Sequence, residues 1–312
     1  MIGGQALIEG IMMRGPSKQA VVVRAPDGEL VVKEEPLRLV KDKYPILGLP
    51  FLRGPVNFAA SMYAGIKALM FSADYYPEEE GASEEPGKFE VWLEQKLGNE
   101  KVMQIVIALS LVVGMGFSVV MFFLLPTLIA GIFDRFITSP LIHNLIEGAI
   151  RIVIFVLYLF LCSRMKDMKR VFSYHGAEHK SIFCYEEGLE LTVENVRKMP
   201  RHHPRCGTSF LFVVIFISIL VSSVVFSLPF VSWNNPLVRV GLHLLLLPVV
   251  VSISYEINRY AGGHDNALTK MMTAPGLWLQ NFTTFEPDDS MIEVGIKALT
   301  LVLPEKKGAD AW

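Results

Sequence analysis

The sequence predicts a mainly α, polytopic membrane protein. It has about four transmembrane helices, an interfacial or re-entrant helix, a small N-terminal β-hairpin element and cytoplasmic helical parts. Three observations lead there. Mean hydropathy is +0.41, with 52% hydrophobic and 19% charged residues, more apolar than an ordinary soluble chain. No charged residue occurs from Val102 to Phe133 or from Phe210 to Val238, and each run exceeds the roughly 20 residues that cross a bilayer core. Basic residues are also distributed unevenly between the connections. The net charge of -2 offers no basic field for nucleic acid.

In chain order, "AVVVRAPDGELVVKEE" places two β-rich runs around Pro26-Asp27-Gly28, which is hairpin chemistry. Residues 1–50 thus form an N-terminal β-containing segment. The opening "MIGGQALIEGIMMRGP" has neither a basic n-region nor a sustained apolar run, so it does not read as a cleavable signal. Residues 51–100 hold an apolar stretch, Val56 to Ala73, interrupted by Asn57, Ser61 and Lys67, and then an acidic linker. That stretch reads as the interfacial or re-entrant helix.

Four crossings follow at about 102–133, 145–163, 209–231 and 237–256, the first with a kink or break expected at Pro126. Residues 101–163 make the first transmembrane pair and 209–256 the second. Glu147 and Arg151, spaced i,i+4, can pair, and with His243 they read as anchors at outer helix ends. The connection between the pairs, 164–208, carries nine basic residues, whereas Asp134–His143 carries only Arg135. The positive-inside rule therefore places 164–208 and both termini in the cytoplasm of a multi-pass cell-membrane protein. Residues 257–312 add two amphipathic cytoplasmic segments, the second over about 289–303.

Candidate chemistry gathers in the same connection. "HGAEH" puts His175 and His179 on one helical face, with Glu178 beside them, in the H-x-x-E-H order of inverzincin metallopeptidases. "RHHPRCGTSF" supplies His203 and Cys206, and "YEINRYAGGHD" supplies Glu256, Arg259, His264 and Asp265. The last two crossings form a hairpin, so these patches converge. Imidazole, thiolate and carboxylate suit a divalent metal such as Zn²⁺. The expected ligands are His175 and His179, with a third from His203, Cys206 or Glu256, and Glu178 is the expected general base. Arg205, Arg259, His264, Asp265, Glu9 and Arg14 are expected in support. Three cysteines without a C-x-x-C pair exclude a disulfide framework.

The blocks "GGQALIEGIMMRGP", "YHGAEHKSIFCYEEGLELTVENVRK", "HPRCGTSFL" and "EINRYAGGHD", from Gly3 to Asp265, resemble the signatures of the YqhQ-like bacterial membrane proteins. That resemblance implies a multi-pass inner-membrane protein of unknown function, predicted to be a metal-dependent enzyme, and makes the N-terminal segment part of the functional unit. Two functions follow. One is a metal-dependent hydrolase at the cytoplasmic membrane surface, acting on a lipid-linked or membrane-proximal peptide substrate. The alternative is a non-catalytic regulatory, assembly or transport protein with a structural metal or polar site. Near-absence of midplane polar residues argues against transport.

Overall fold

A computed structural model describes residues 2–75, 99–137, 139–228, 235–264 and 266–304. Asp265 and nearly all of the acidic linker lie outside the described residues. The chain divides into two compact units, one from Met1–Tyr76, Val156–Val224 and Leu245–Trp312, the other from Pro77–Phe155 and Val225–Leu244.

The first unit contains a four-stranded antiparallel sheet in the order β1 (Gly3–Leu7), β2 (Gly10–Arg14), β3 (Lys18–Arg24) and β4 (Leu30–Pro36). The predicted hairpin is β3–β4, turning at Gly28 with φ 87°. The sheet is larger than expected because the glycine-rich start folds as a second hairpin, with Leu7 paired to Gly10 across Ile8-Glu9. Glu9 occupies the left-handed region at φ 51°. Its carboxylate accepts hydrogen bonds from Arg170 and from the Tyr174 hydroxyl at 3.1 Å, which hold the turn in place.

Both faces of β2 and β3 are covered, which explains their continuous apolar runs. Ile11, Met13, Ala20 and Val22 face Tyr174, Ala177 and Ile182 of α6 (Lys166–Glu186) and Met291, Val294 and Leu299 of α11 (Asp289–Val302). Met12, Val21 and Val23 face Ala68 and Phe71 of α2 (Arg53–Ala73) and Tyr75 just after it. The short α1 spans Val40–Lys43. The connection between the transmembrane pairs continues from α6 into α7 (Val193–Lys198), and α10 (Ala267–Thr283) with α11 forms the C-terminal segment.

Among the described residues four helical stretches are long and apolar enough to cross a bilayer: Ile105–Gly131, Pro140–Cys162, Gly207–Phe226 and Pro236–Gly263. The first is α3 (Asn99–Val119), a π-helical turn at Val120–Leu124, and α4 (Leu125–Gly131). The π turn lies just before Pro126, whose ring and missing N–H prevent a regular α ladder there. The others are α5 (Pro140–Cys162), α8 (Gly207–Phe226) and α9 (Pro236–Gly263).

In the second unit, Glu147, Arg151 and His243 are buried rather than displayed as outer anchors. Glu147 accepts from Arg151 at 2.8 Å, from Arg239 at 2.5 Å and from Thr127 at 3.0 Å, and His243 Nε2 lies 3.0 Å away. Arg239 also donates to Asn144. Inward placement lets each charge find a partner that lipid could not supply.

Candidate metal centre

On α6, spacings of three and four residues set His175, Glu178 and His179 on one face. Gly176 stands beside them for a packing reason. A Cβ there would meet the Phe285 carbonyl oxygen at 2.0 Å, so only glycine lets the segment after α10 approach. That approach brings the Thr283 carbonyl to 2.8 Å from His175 Nδ1, and the Arg201 carbonyl lies 2.6 Å from His179 Nδ1. A carbonyl only accepts, so each Nδ1 carries the proton and each Nε2 keeps its lone pair.

His175 Nε2 lies 3.2 Å from Cys206 Sγ, and the two imidazole centroids are 4.3 Å apart. Ligand atoms of His175, His179 and Cys206 all fall within 4.8 Å of one another, close enough to share one ion. Thr208 donates to the Cys206 sulfur at 3.3 Å. His179 and Cys206 are buried, and burial lowers the His179 pKa, with the neighbouring Cys206 opposing the shift. A neutral imidazole is the form that binds metal.

Glu178 is 5% exposed. Its carboxyl packs against β1 at Gly4, where a Cβ would meet Glu178 Oε1 at 2.9 Å. Burial raises its pKa, while His175 and a hydrogen bond from the Gly4 amide pull the other way. Glu178 Oε2 is buried without a hydrogen-bond partner among the described residues. These groups line a cavity of ≈ 700 Å³ together with Gly3, Gln5, His203, Arg205, Phe58, Tyr158, Phe172, Phe210 and Leu211. A two-nitrogen, one-sulfur donor set with a buried orphan carboxylate oxygen beside it fits a zinc-type ion.

Of the remaining expected residues, His203 and Arg205 line the same cavity but are engaged by Glu186, and the others lie elsewhere. His203 has its ring 5.7 Å from that of His179, but its Nε2 is 3.4 Å from Glu186, which also binds Arg205. Glu256 is held by the Arg53 guanidinium and the Phe51 amide, and lines a separate ≈ 370 Å³ cavity with Arg259 and His264. An arginine already satisfies that carboxylate, so it is not gathered with the histidines. His264 stacks on Tyr260 at 4.2 Å. Arg14 donates to Ser61 at 3.1 Å, and Glu9 secures the β1–β2 turn against α6. The carbonyls of Thr283 and Arg201 have no sequence signature, because any residue supplies one. The Glu147 network did have a signal: four ionisable residues inside otherwise apolar helices.

The family described as "Protein of unknown function (DUF1385)" matches residues 49–305. A protein of Bacillus subtilis (strain 168), described as "Uncharacterized protein YqhQ", is 33% identical over 305 residues, which cover 96% of this chain and 92% of the relative. No solved structure matches the chain. With a family match over most of its length and so extensive a relative, the chain belongs to the DUF1385 family.

Proposed function

We propose that this protein is a metal-dependent hydrolase whose site faces the cytoplasmic membrane surface, with both termini on that side. The observation that carries the reading is the matched pair of imidazoles. Each Nδ1 is fixed by a backbone carbonyl, and each Nε2 is left available next to a thiol. Outer carbonyls that set the tautomer are the usual support of metal-binding histidines.

His175, His179 and Cys206 would hold the ion, Zn²⁺ by the softness of the set. When bound, such an ion supplies Lewis acidity that polarises a scissile carbonyl and activates water. Glu178 accepts the proton from the attacking water and passes it to the leaving group. Burial raises its pKa, which strengthens it as a proton acceptor. The nearby walls keep bulk water from the carboxylate. Three gathered ligands among the described residues favour catalysis over a structural role, since structural zinc sites are closed by four.

The test uses purified full-length chain in detergent. Zinc content is measured for wild type, for His175→Ala with His179→Ala, and for Glu178→Gln. Hydrolysis of quenched peptide and lipid-ester substrates is measured alongside. The reading expects zinc and turnover in wild type, zinc without turnover in Glu178→Gln, and neither in the histidine double variant. Equal zinc in all three, or full turnover in Glu178→Gln, would sink it.

A further inference from the structure

We infer that the outer edge of β1 binds an extended peptide as an added strand and carries it past Glu178, so that the substrate is polypeptide. The substrate half of this inference rests on the hydrolase reading above; the strand addition itself does not.

β1 ends the sheet, so one of its edges has no strand partner among the described residues. The two-residue turn sets which groups lie there. Leu7, Gln5 and Gly3 exchange hydrogen bonds with Gly10, Met12 and Arg14, so the alternate residues Gly4 and Ala6 turn their amides and carbonyls outward. The Glu178 carboxyl packs against Gly4, where a Cβ would meet its Oε1 at 2.9 Å. No backbone hydrogen bond among the described residues uses the outward groups of Gly4 and Ala6.

Gly3 and Gly4 are exposed, and a Cβ on Gly3 would meet nothing within 4 Å. The same edge, Ile2 to Ala6, lines the cavity that holds His175, Glu178, His179 and Cys206. A chain paired with Gly4 and Ala6 therefore runs beside the carboxylate. Backbone pairing supplies affinity in such complexes, and alternate side chains enter wall pockets. Here Phe58, Tyr158, Phe172, Phe210 and Leu211 furnish apolar walls.

The charge pattern separates peptide from lipid phosphate. Arg205 is the only lysine or arginine among the described residues lining this cavity, and Glu186 engages its guanidinium. The side chains of the cavity offer a phosphate little to neutralise it, whereas a neutral backbone needs none.

Hydrogen exchange tests the inference on the full chain in micelles, both zinc-loaded and metal-free. The probes are a capped hexapeptide of alternating leucine and threonine, its alternately N-methylated form, and phosphatidic acid micelles. The unmodified peptide should slow exchange at the Ala6 amide by about tenfold or more, and N-methylation should abolish the effect. Ala6→Pro removes only an outward donor, and should weaken peptide binding by about tenfold while leaving zinc content unchanged. No protection at Ala6, equal protection by the N-methylated peptide, or protection by phosphatidic acid instead would overturn strand addition. Zinc bound without protection refutes this inference alone, and protection in a chain that never binds zinc refutes the metal reading alone.

Discussion

His175 Nε2 and Cys206 Sγ lie 3.2 Å apart although 31 positions separate them in the chain. The contact joins a helix of the first unit to the residue that precedes α8. Its protonation pattern favours exchange of the thiol proton for a metal ion, since the imidazole presents a lone pair.

Zinc stoichiometry should therefore follow these residues. Wild type is expected to hold about one equivalent, as one site with two nitrogens and a sulfur implies. Cys206→Ser and His179→Ala should lose most of it. Glu256→Gln should retain it, because Glu256 is committed to Arg53. Elemental analysis after dialysis reads the difference directly.

Gly176→Ala should destabilise the fold and disturb the site together. The added methyl would lie 2.0 Å from the Phe285 carbonyl oxygen, so the segment carrying the Thr283 carbonyl must retreat from His175. Overpacking of this kind costs about 1–3 kcal/mol. Gly241→Ala, whose Cβ meets nothing within 4 Å, is the matched control and should be neutral or slightly stabilising. Thermal unfolding in detergent compares the two.

Removal of the carboxylate in Glu147→Ala should be more damaging than a typical substitution. Arg151 and Arg239 would both remain buried without it. Breaking a buried ion pair from one side costs about 3–5 kcal/mol. A midpoint within the error of wild type would show that these guanidiniums find other partners.

Acid sensitivity should have a component from Asp288, the N-cap of α11, which accepts from the Met291 amide at 3.0 Å and the Ser290 hydroxyl at 2.6 Å. Burial opposes ionisation, but the Ser290 and Met291 hydrogen bonds outweigh it and hold the pKa below its ordinary 3.8. A depressed carboxyl stabilises the fold fully above that ordinary value. The contribution fades as pH falls through the folded pKa. Asp288→Ala should cost about 0.5–2 kcal/mol at neutral pH, and its stability should fall less steeply on acidification. Parallel acid titrations of the two proteins check the slope.

The membrane architecture was legible because lipid imposes a crude, local demand. Runs such as Val102–Phe133 satisfy it by composition alone, and the observed stretch Ile105–Gly131 lies within that run. Boundaries were harder where charge sits inside a helix. The second crossing starts at Pro140, before the expected 145, because Glu147 and Arg151 are neutralised internally and do not mark an interface. The fourth runs on to Gly263, past Glu256.

At the site, the helical spacing of His175 and His179 was visible at once. The choice among His203, Cys206 and Glu256 was not, since each has the right chemistry. Only their partners in the fold separate them: Glu186 stands by His203 and Arg53 holds Glu256, while Cys206 lies beside the imidazoles. The β1–β2 hairpin was obscured because "GGQALIEGIMM" carries no asparagine- or glycine-led turn. Contacts made from α6 to Glu9 fix that turn from outside.

The two cations that share Glu147 differ in how they reach it. Arg151 is synthesised on the same helix one turn away, so that pair enters the bilayer already neutralised. Arg239 comes almost ninety residues later on a helix with no acid of its own near that end. Within the bilayer Arg239 therefore depends on α5 for its counter-charge, and a chain in which α5 is displaced would leave that guanidinium facing lipid.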